Sequence, residues 1–175
     1  MFRDPNLTQP APSRKRAPKP AYDRGLDLLA RRPHFAAELA AKLGQRGYER
    51  AEVESAVERL TAAGHLNEGE TAHVLVRSLK RRGYGRRRLE LDLRRRGADE
   101  AAARAALETV DDEDELERAV AVAARFRSSH PSRDAAALAR HLERRGFLPR
   151  TIGTVVFDTA GGGIAEGEMR GESSC

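Results

Sequence analysis

Apolar residues recur at helical spacing along most of this chain, and their pattern repeats. Leu39, Leu43, Gly47, Val53 and Val57 are spaced four, four, six and four residues apart. The same spacing returns twice further along the chain, at Leu89, Leu93, Gly97, Ala103 and Leu107, and at Leu138, Leu142, Gly146, Ile152 and Val156. Each copy predicts a helix with two core residues one turn apart, a helix-ending glycine and a second helix. The sequence therefore predicts an internal repeat built from helices.

A further amphipathic stretch precedes each copy, so the repeating unit is predicted to contain three helices. These stretches cover 22–31, 70–82 and 114–127. In the first unit, the helices are predicted over Tyr22–Arg31, Phe35–Arg46 and Glu49–Ala63, with Gly64 closing the third. Because so small a unit buries little apolar surface alone, we expect neighbours to stack into an elongated, curved, all-α array.

The boundaries of the units follow from the same pattern. The expected segments are a disordered, basic, proline-rich arm at 1–20, repeat units at 21–66, 67–110 and 111–157, and a disordered tail at 158–175. Two helix starts carry a polar residue followed three positions later by Glu, namely Asn67 with Glu70 and Asp112 with Glu115. This spacing predicts a capping box at each.

Composition supports the helical prediction and adds an uneven charge distribution. Tryptophan is absent and aromatic residues make up 5 %, so the core must consist mainly of Leu, Val and Ala. The net charge is +5, but segment 67–97 sums to +6 and segment 98–116 to −7. Basic residues are mostly arginine, which favours fork-like contacts with phosphate or carboxylate groups. We therefore expect a polarised surface with an anionic partner.

The basic stretch Val76–Gly97 contains ten Lys or Arg and two acidic residues, yet leucines recur through it at helical spacing. In its first helix, an apolar stripe of Ala72, Leu75, Val76 and Leu79 leaves the arginines on the opposite face. The residues predicted to bind a partner or DNA are Arg77, Lys80, Arg81, Tyr84, Arg86, Arg87 and Arg88.

Missing counter-charges are the reason for this choice. Glu90 can reach Arg94, and Asp92 can reach Arg96, both four residues on along one helix. Arg77, Arg81 and Arg87 have no comparable acid, and only Asp92 is near Arg88. Tyr84, between two glycines, is expected to present an exposed ring to the partner. The alternative is a charged face that only contacts solvent.

Signals for catalysis and for cofactor or metal binding are absent from the sequence. The five histidines do not have metal-ligand spacing, and the single cysteine is Cys175. Nucleophile-elbow and phosphate-binding-loop motifs do not occur. We therefore expect no enzyme activity, no cofactor and no metal. No apolar run has the length of a membrane span or signal peptide, so a cytoplasmic protein is expected.

The middle of the chain resembles the RecX family. The matching residues are Leu66–Asn67–Glu68, Ala72, Val76–Arg77, Arg82–Gly83–Tyr84–Gly85, Arg88–Leu89, Leu93 and Gly97, together with Leu28, Leu29, Arg31, Arg32, Glu38 and Leu39 before them and Arg145–Gly146–Phe147 after them. The similarity covers about 21–157. Thr71 and Leu75 stand where the family pattern has aromatic residues, and Arg86 where it has proline.

This resemblance implies three tandem three-helix units and a regulator of the RecA recombinase in DNA repair and the SOS response. It implies binding in the groove of the RecA filament, with contact to single-stranded DNA directly or through the filament, and inhibition of ATPase and strand exchange. A monomer with no membrane partner is expected. The alternative is a nucleic-acid-binding helical protein that acts without a recombinase, and a third possibility is a structural adaptor.

Overall fold

The computed structural model describes residues 19–159, and every regular element in this range is an α-helix. The helices are α1 (Ala21–Leu29), α2 (Ala36–Gly44), α3 (Arg50–Ala62), α4 (Glu68–Arg81), α5 (Arg86–Arg95), α6 (Glu100–Glu108), α7 (Asp112–Ser129), α8 (Ala135–Arg144) and α9 (Pro149–Thr159). None of the helices in this range is both long and apolar enough to cross a bilayer. The predicted arm up to residue 18, and the predicted tail from residue 160, lie outside the described residues.

The nine helices pack in three consecutive groups of three, each around its own apolar cluster. We call these groups unit 1 (α1–α3), unit 2 (α4–α6) and unit 3 (α7–α9). The paired leucines of the repeat lie at the centre of each cluster and are at most 1 % exposed. They are Leu39 and Leu43, Leu89 and Leu93, and Leu138 and Leu142. The predicted all-α array of three-helix repeats is confirmed.

The repeat glycine ends the second helix of every unit in a left-handed conformation. Gly47, Gly97 and Gly146 have φ values of 86°, 73° and 82°. In unit 2, the Gly97 amide donates to the Arg94 carbonyl at 3.0 Å, and the Ala98 amide donates to the Leu93 carbonyl at 3.1 Å. These two bonds form a Schellman motif, which turns the chain sharply toward the third helix.

A carboxylate joins unit 1 to unit 2. One oxygen of Glu68, the first residue of α4, accepts the amide of Ala36 at the start of α2 at 2.6 Å. Its other oxygen accepts the amide of Asp99, just before α6, at 3.0 Å. Both amides belong to helix N-terminal regions, where donors have no partner within the helix and negative charge is favoured. One side chain therefore connects helix starts in two different units.

Glu115 makes the same connection between unit 2 and unit 3. Its Oε1 accepts the amide of Leu148, just before α9, at 3.0 Å, and that of Arg86, the first residue of α5, at 3.4 Å. Glu115 is 1 % exposed, so its carboxylate depends on these donors in place of water. We refer to Glu68 and Glu115 as the junction carboxylates.

Side chains of unit 1 and unit 2 complete the first junction. Phe35 precedes α2, yet its ring is fully buried in the apolar cluster of unit 2. The Arg96 guanidinium lies 5.3 Å from the centroid of that ring. It also contacts the Glu38 carboxylate at 2.9 Å and donates to the Pro33 carbonyl at 2.9 Å. This junction is therefore formed by interlocking side chains.

The second junction brings two backbones into direct contact. The amide of Gly85 donates to the Arg145 carbonyl, and the amide of Arg87 donates to the Gly146 carbonyl, both at 3.0 Å. A Cβ at Gly85 would lie 2.4 Å from the backbone of Phe147. Only glycine at this position permits so close an approach of unit 2 to unit 3.

Some predicted boundaries differ from the structure. Lys19, which was assigned to the arm, forms an ion pair with Asp27 at 2.7 Å and accepts the Tyr48 hydroxyl on its carbonyl at 2.6 Å. The predicted arm therefore extends too far toward α1, because Lys19 contacts the folded part of the chain. At the other terminus, α9 continues to Thr159, two residues into the predicted tail.

One of the two predicted caps is confirmed and the other is displaced. Asn67 is the N-cap of α4 and accepts the amide of Glu70 at 2.9 Å. The cap of α7 is Asp111, which accepts the amide of Asp114 at 2.7 Å, so the prediction of Asp112 is wrong. The consecutive acids at 111–115 offered several candidates for the N-cap. Glu115, the predicted partner of the cap, is instead a junction carboxylate.

Gly146→Ala should destabilise the protein more than Gly47→Ala. Both glycines have positive φ, so each substitution costs about 1–2 kcal/mol of backbone strain. A Cβ at Gly146 would also lie 2.5 Å from the backbone nitrogen of Arg88, whereas nothing lies within 4 Å of one at Gly47. We expect roughly 2 kcal/mol of additional loss at Gly146, measured by urea unfolding. Equal losses of stability in the two variants would contradict the close backbone contact at Gly146.

Glu115→Gln should lower the free energy of unfolding by about 2–3 kcal/mol, because a neutral amide replaces a buried carboxylate that accepts two amides. Glu117→Gln is the matched control, since Glu117 lies exposed on the same helix, and it should change stability by less than about 0.5 kcal/mol. Thermal and urea unfolding measure both. Similar values for the two variants would show that the junction carboxylate does not stabilise the array.

Candidate anion-binding surface

The seven predicted binding residues lie on α4, on α5 and in the turn between them, but the structure gives them different roles. Arg77 forms an ion pair with Glu70, seven residues earlier on the same helix, at 3.2 Å. The expectation that Arg77 has no acidic neighbour is therefore wrong. Lys80 forms an ion pair with Asp114 at the junction between units 2 and 3. Both charges are at least partly neutralised within the protein.

Arg86 is part of the structural framework. Its Nη1 donates to the carbonyl of Val110 at 3.0 Å and to that of Leu107 at 3.4 Å, beyond the end of α6 and within its last turn. Its Nε lies 3.3 Å from the Glu90 carboxylate. A guanidinium close to the C-terminal carbonyls of a helix complements the negative end of the helix dipole. Arg86 therefore connects α5 to α6.

The predicted ion pairs along α5 form with different partners. Glu90 contacts Arg86 and not Arg94, and Asp92 contacts Arg88 at 3.1 Å and not Arg96. Contacts outside α5 explain this change of ion-pair partners. Arg96 contacts Glu38 of unit 1, and Arg86 donates to a carbonyl just beyond α6.

Tyr84 is half-buried and packs against the apolar cluster of unit 2, so its ring is less exposed than predicted. Three guanidinium groups surround the ring. Those of Arg82, Arg88 and Arg145 lie 5.2, 5.4 and 5.6 Å from its centroid. Each distance is within the range of cation–π attraction. Tyr84 therefore gathers positive charge from units 2 and 3.

Arg81 and Arg87 keep the character expected of binding residues. Both are exposed, and neither side chain has an ion pair or hydrogen bond within residues 19–159. Arg82 is also exposed, and its guanidinium has no acidic neighbour in that range. Arg87 lies in the first turn of α5, where the helix dipole disfavours positive charge. These three arginines belong to the unneutralised basic surface of unit 2, as do the exposed Arg94 and Arg95 at the end of α5.

Unit 3 contributes basic residues that the sequence reasoning did not select. Four exposed arginines near the end of α7 and along α8 have no ion pair to any described residue: Arg125, Arg133, Arg140 and Arg144. The charge sum of +5 over 117–157 was the available signal. The strongest uncompensated charge therefore extends from unit 2 onto unit 3.

Shared clefts make this surface continuous. Arg87 and Arg140 line one cleft across the junction, and Arg140 also lines the next cleft with Arg144. Arg145 lines a third cleft, and its Nη1 donates to the Arg82 carbonyl at 2.8 Å. We use the term basic band for these arginines together with Arg81 and Arg133. Its members are Arg81, Arg82, Arg87, Arg133, Arg140, Arg144 and Arg145. No group of three metal-ligating side chains occurs between residues 19 and 159.

Comparison with known proteins places the units in a recognised family. Residues 21–60 match the family model for the first three-helix domain of RecX, and residues 67–107 match that for the second. The chain is 41 % identical over 128 residues to the regulatory protein RecX of Halorhodospira halophila, an alignment covering 71 % of this chain and 79 % of that protein. It is 38 % identical over 135 residues to the RecX protein of Acidithiobacillus ferrooxidans, covering 75 % and 85 %.

Solved structures share the fold. The crystal structure of RecX from Lactobacillus salivarius superposes with a TM-score of 0.70 at 19 % sequence identity, covering 80 % of this chain and 94 % of that chain. A second crystal structure of a regulatory protein RecX gives the same TM-score at 20 % identity.

Arg86→Gln and Arg87→Gln should separate structural from exposed arginines. Arg86→Gln removes hydrogen bonds to two carbonyls and an ion pair, so we expect a loss of about 1–2 kcal/mol in unfolding free energy. Arg87→Gln should change stability by less than about 0.5 kcal/mol. Urea unfolding with circular dichroism measures both. A larger loss at Arg87 would contradict this division of roles.

Proposed function

Because this chain belongs to the RecX family of regulatory proteins, we propose that it regulates the RecA recombinase. In this proposal the protein binds in the groove of the RecA filament on single-stranded DNA. It inhibits ATPase and strand exchange by occupying the groove, without chemistry of its own.

The basic band is the observation that carries this proposal. A filament groove presents protein carboxylates and DNA phosphates over a long distance, so a partner needs positive charge distributed along its length. The band crosses from unit 2 to unit 3, and its arginines other than Arg145 have no internal hydrogen-bonding partner in the described chain. Unpaired guanidinium groups are hydrated in the free protein and are available for fork-like contacts with either anion.

The stacked units supply the other requirement, which is rigidity. Hydrogen bonds to the junction carboxylates fix each unit relative to the next. The arginines of two units therefore keep a defined separation before binding, which reduces the entropy lost on association.

The same band also supports the second candidate function, which is direct binding of nucleic acid without a recombinase. Phosphate contact alone makes affinity fall steeply with salt, and each lost contact reduces the slope by about one unit. Contact with carboxylates of a protein partner gives a milder salt dependence. Inhibition of the recombinase at concentrations far below those that bind bare DNA favours the regulator.

The test combines Arg81→Glu, Arg82→Glu and Arg87→Glu in one variant and measures RecA ATPase on single-stranded DNA. We expect the half-inhibitory concentration to rise by roughly tenfold or more, because three exposed contacts reverse sign. The control combines Arg31→Glu, Arg46→Glu and Arg50→Glu, which makes the same charge change at exposed positions of unit 1.

We expect the control variant to inhibit within about threefold of the unchanged protein, since surface charges outside the contact act mainly through long-range attraction. Circular dichroism verifies that both variants are folded. Equal inhibition by the two triple variants would contradict a role for the basic band.

A further inference from the structure

Unit 3 contains a cluster of basic and aromatic side chains between the end of α7 and α8. Two adjoining clefts of about 290 and 170 Å³ share the side chains of Phe126, His130 and His141. The remaining charged residues that line them are all arginines: Arg133, Arg140 and Arg144 in one cleft, and Arg125 and Arg145 in the other. No carboxylate lines either cleft within the described part of the chain.

The three aromatic rings pack against one another, with Phe126 in contact with both imidazoles. The centroid of the Phe126 ring lies 4.8 Å from that of His130 and 4.6 Å from that of His141. The His130 Nδ1 lies 3.1 Å from the Phe126 carbonyl, which orients the imidazole against the phenyl ring. His130 is exposed and His141 is half-buried, so both imidazoles face the clefts from fixed positions.

Positive charge in this cluster is concentrated without internal compensation. Of the five arginines, only Arg145 has a side-chain hydrogen bond to a described residue, and its acceptors are carbonyls. Burial, followed by the charges of Arg145, Arg144 and His130, holds the pKa of His141 below its usual value. Such an arrangement is unfavourable in the free protein, and an anion bound between the arginines offsets their mutual repulsion.

We propose that this cluster is a binding site for the phosphate groups of a single nucleic acid strand, and that His141 takes up a proton as the strand binds. Two neighbouring clefts of the same charge suit two successive phosphates better than one isolated anion. The exposed imidazole of His130 offers a flat ring on which an unpaired base stacks. This inference rests on the nucleic-acid binding of the second candidate function and does not require the recombinase, so it can fail while regulation of RecA stands.

The direction of the pH effect follows from the lowered pKa of His141. In the free protein, a depressed histidine pKa favours the neutral form near neutral pH and makes protonation costly to the folded state below pH 6.5. A bound phosphate stabilises the imidazolium and raises that pKa. Affinity for the strand must therefore increase as the pH falls. Diester phosphates keep a fixed charge over this range, so the dependence comes from the protein.

The experiment measures binding of the full chain to a fluorescent oligothymidine at several pH and salt values. We expect about tenfold tighter binding at pH 5.5 than at pH 7.5, the effect of a shift of about one pKa unit on binding. His130→Gln with His141→Gln should abolish most of this pH dependence. The control, His65→Gln with His73→Gln, changes two histidines that line neither cleft and should retain it.

A second variant tests the arginines without relying on the histidines. Arg133→Gln with Arg140→Gln should weaken binding at every pH and reduce the salt slope by about two units, while the pH dependence remains. Both substitutions are at exposed positions, so the fold is expected to be unchanged, and circular dichroism checks it.

Nuclear magnetic resonance titration of the imidazole protons identifies the ligand. Shifts of the His141 signal with the oligonucleotide, accompanied by a higher pKa, support the proposal. Shifts with inorganic phosphate but none with the oligonucleotide would overturn its assignment to a nucleic acid strand. Undiminished pH dependence in the His130/His141 variant would show that the cluster is not the site.

Discussion

The structure depends on two carboxylates, the half-buried Glu68 and the buried Glu115, that each accept backbone amides from two units at once. Three-helix units of this size have small apolar clusters, and they pack extensively only within themselves. Glu68 and Glu115 provide the contacts that define how one unit sits on the next. Because each carboxylate lies at the positive end of helix dipoles, the same interaction offsets its burial and fixes the junction.

The arginines divide into two groups, according to whether their side chains have partners within the protein. Some are held by carbonyls, carboxylates or rings, as Arg86 and Arg96 are at the junctions. Others, including Arg81 and Arg140, have no internal partner in the described chain. The second group forms the band on which both functional proposals are based. Net charge alone does not distinguish the two groups.

Much of the fold was predictable because it is encoded locally. Helical periodicity and glycines at helix ends operate within about ten residues, so three spaced copies identified the unit. The long-range side-chain contacts were not predictable in this way, since Arg96 pairs with Glu38 across 58 positions and Arg145 donates to the Arg82 carbonyl across 63. Thr71 and Leu75 replace aromatic residues of the family pattern, yet Thr71 is buried and Leu75 packs on the cluster of unit 2.

The two junctions are formed by different kinds of contact, so neighbouring units are not all joined with the same rigidity. Phe35 and its neighbours join units 1 and 2 through side chains, which tolerate small rotations. Gly85 and Gly146 join units 2 and 3 through paired backbones, which do not. Units 2 and 3, which carry the whole basic band, are therefore held together more firmly than units 1 and 2.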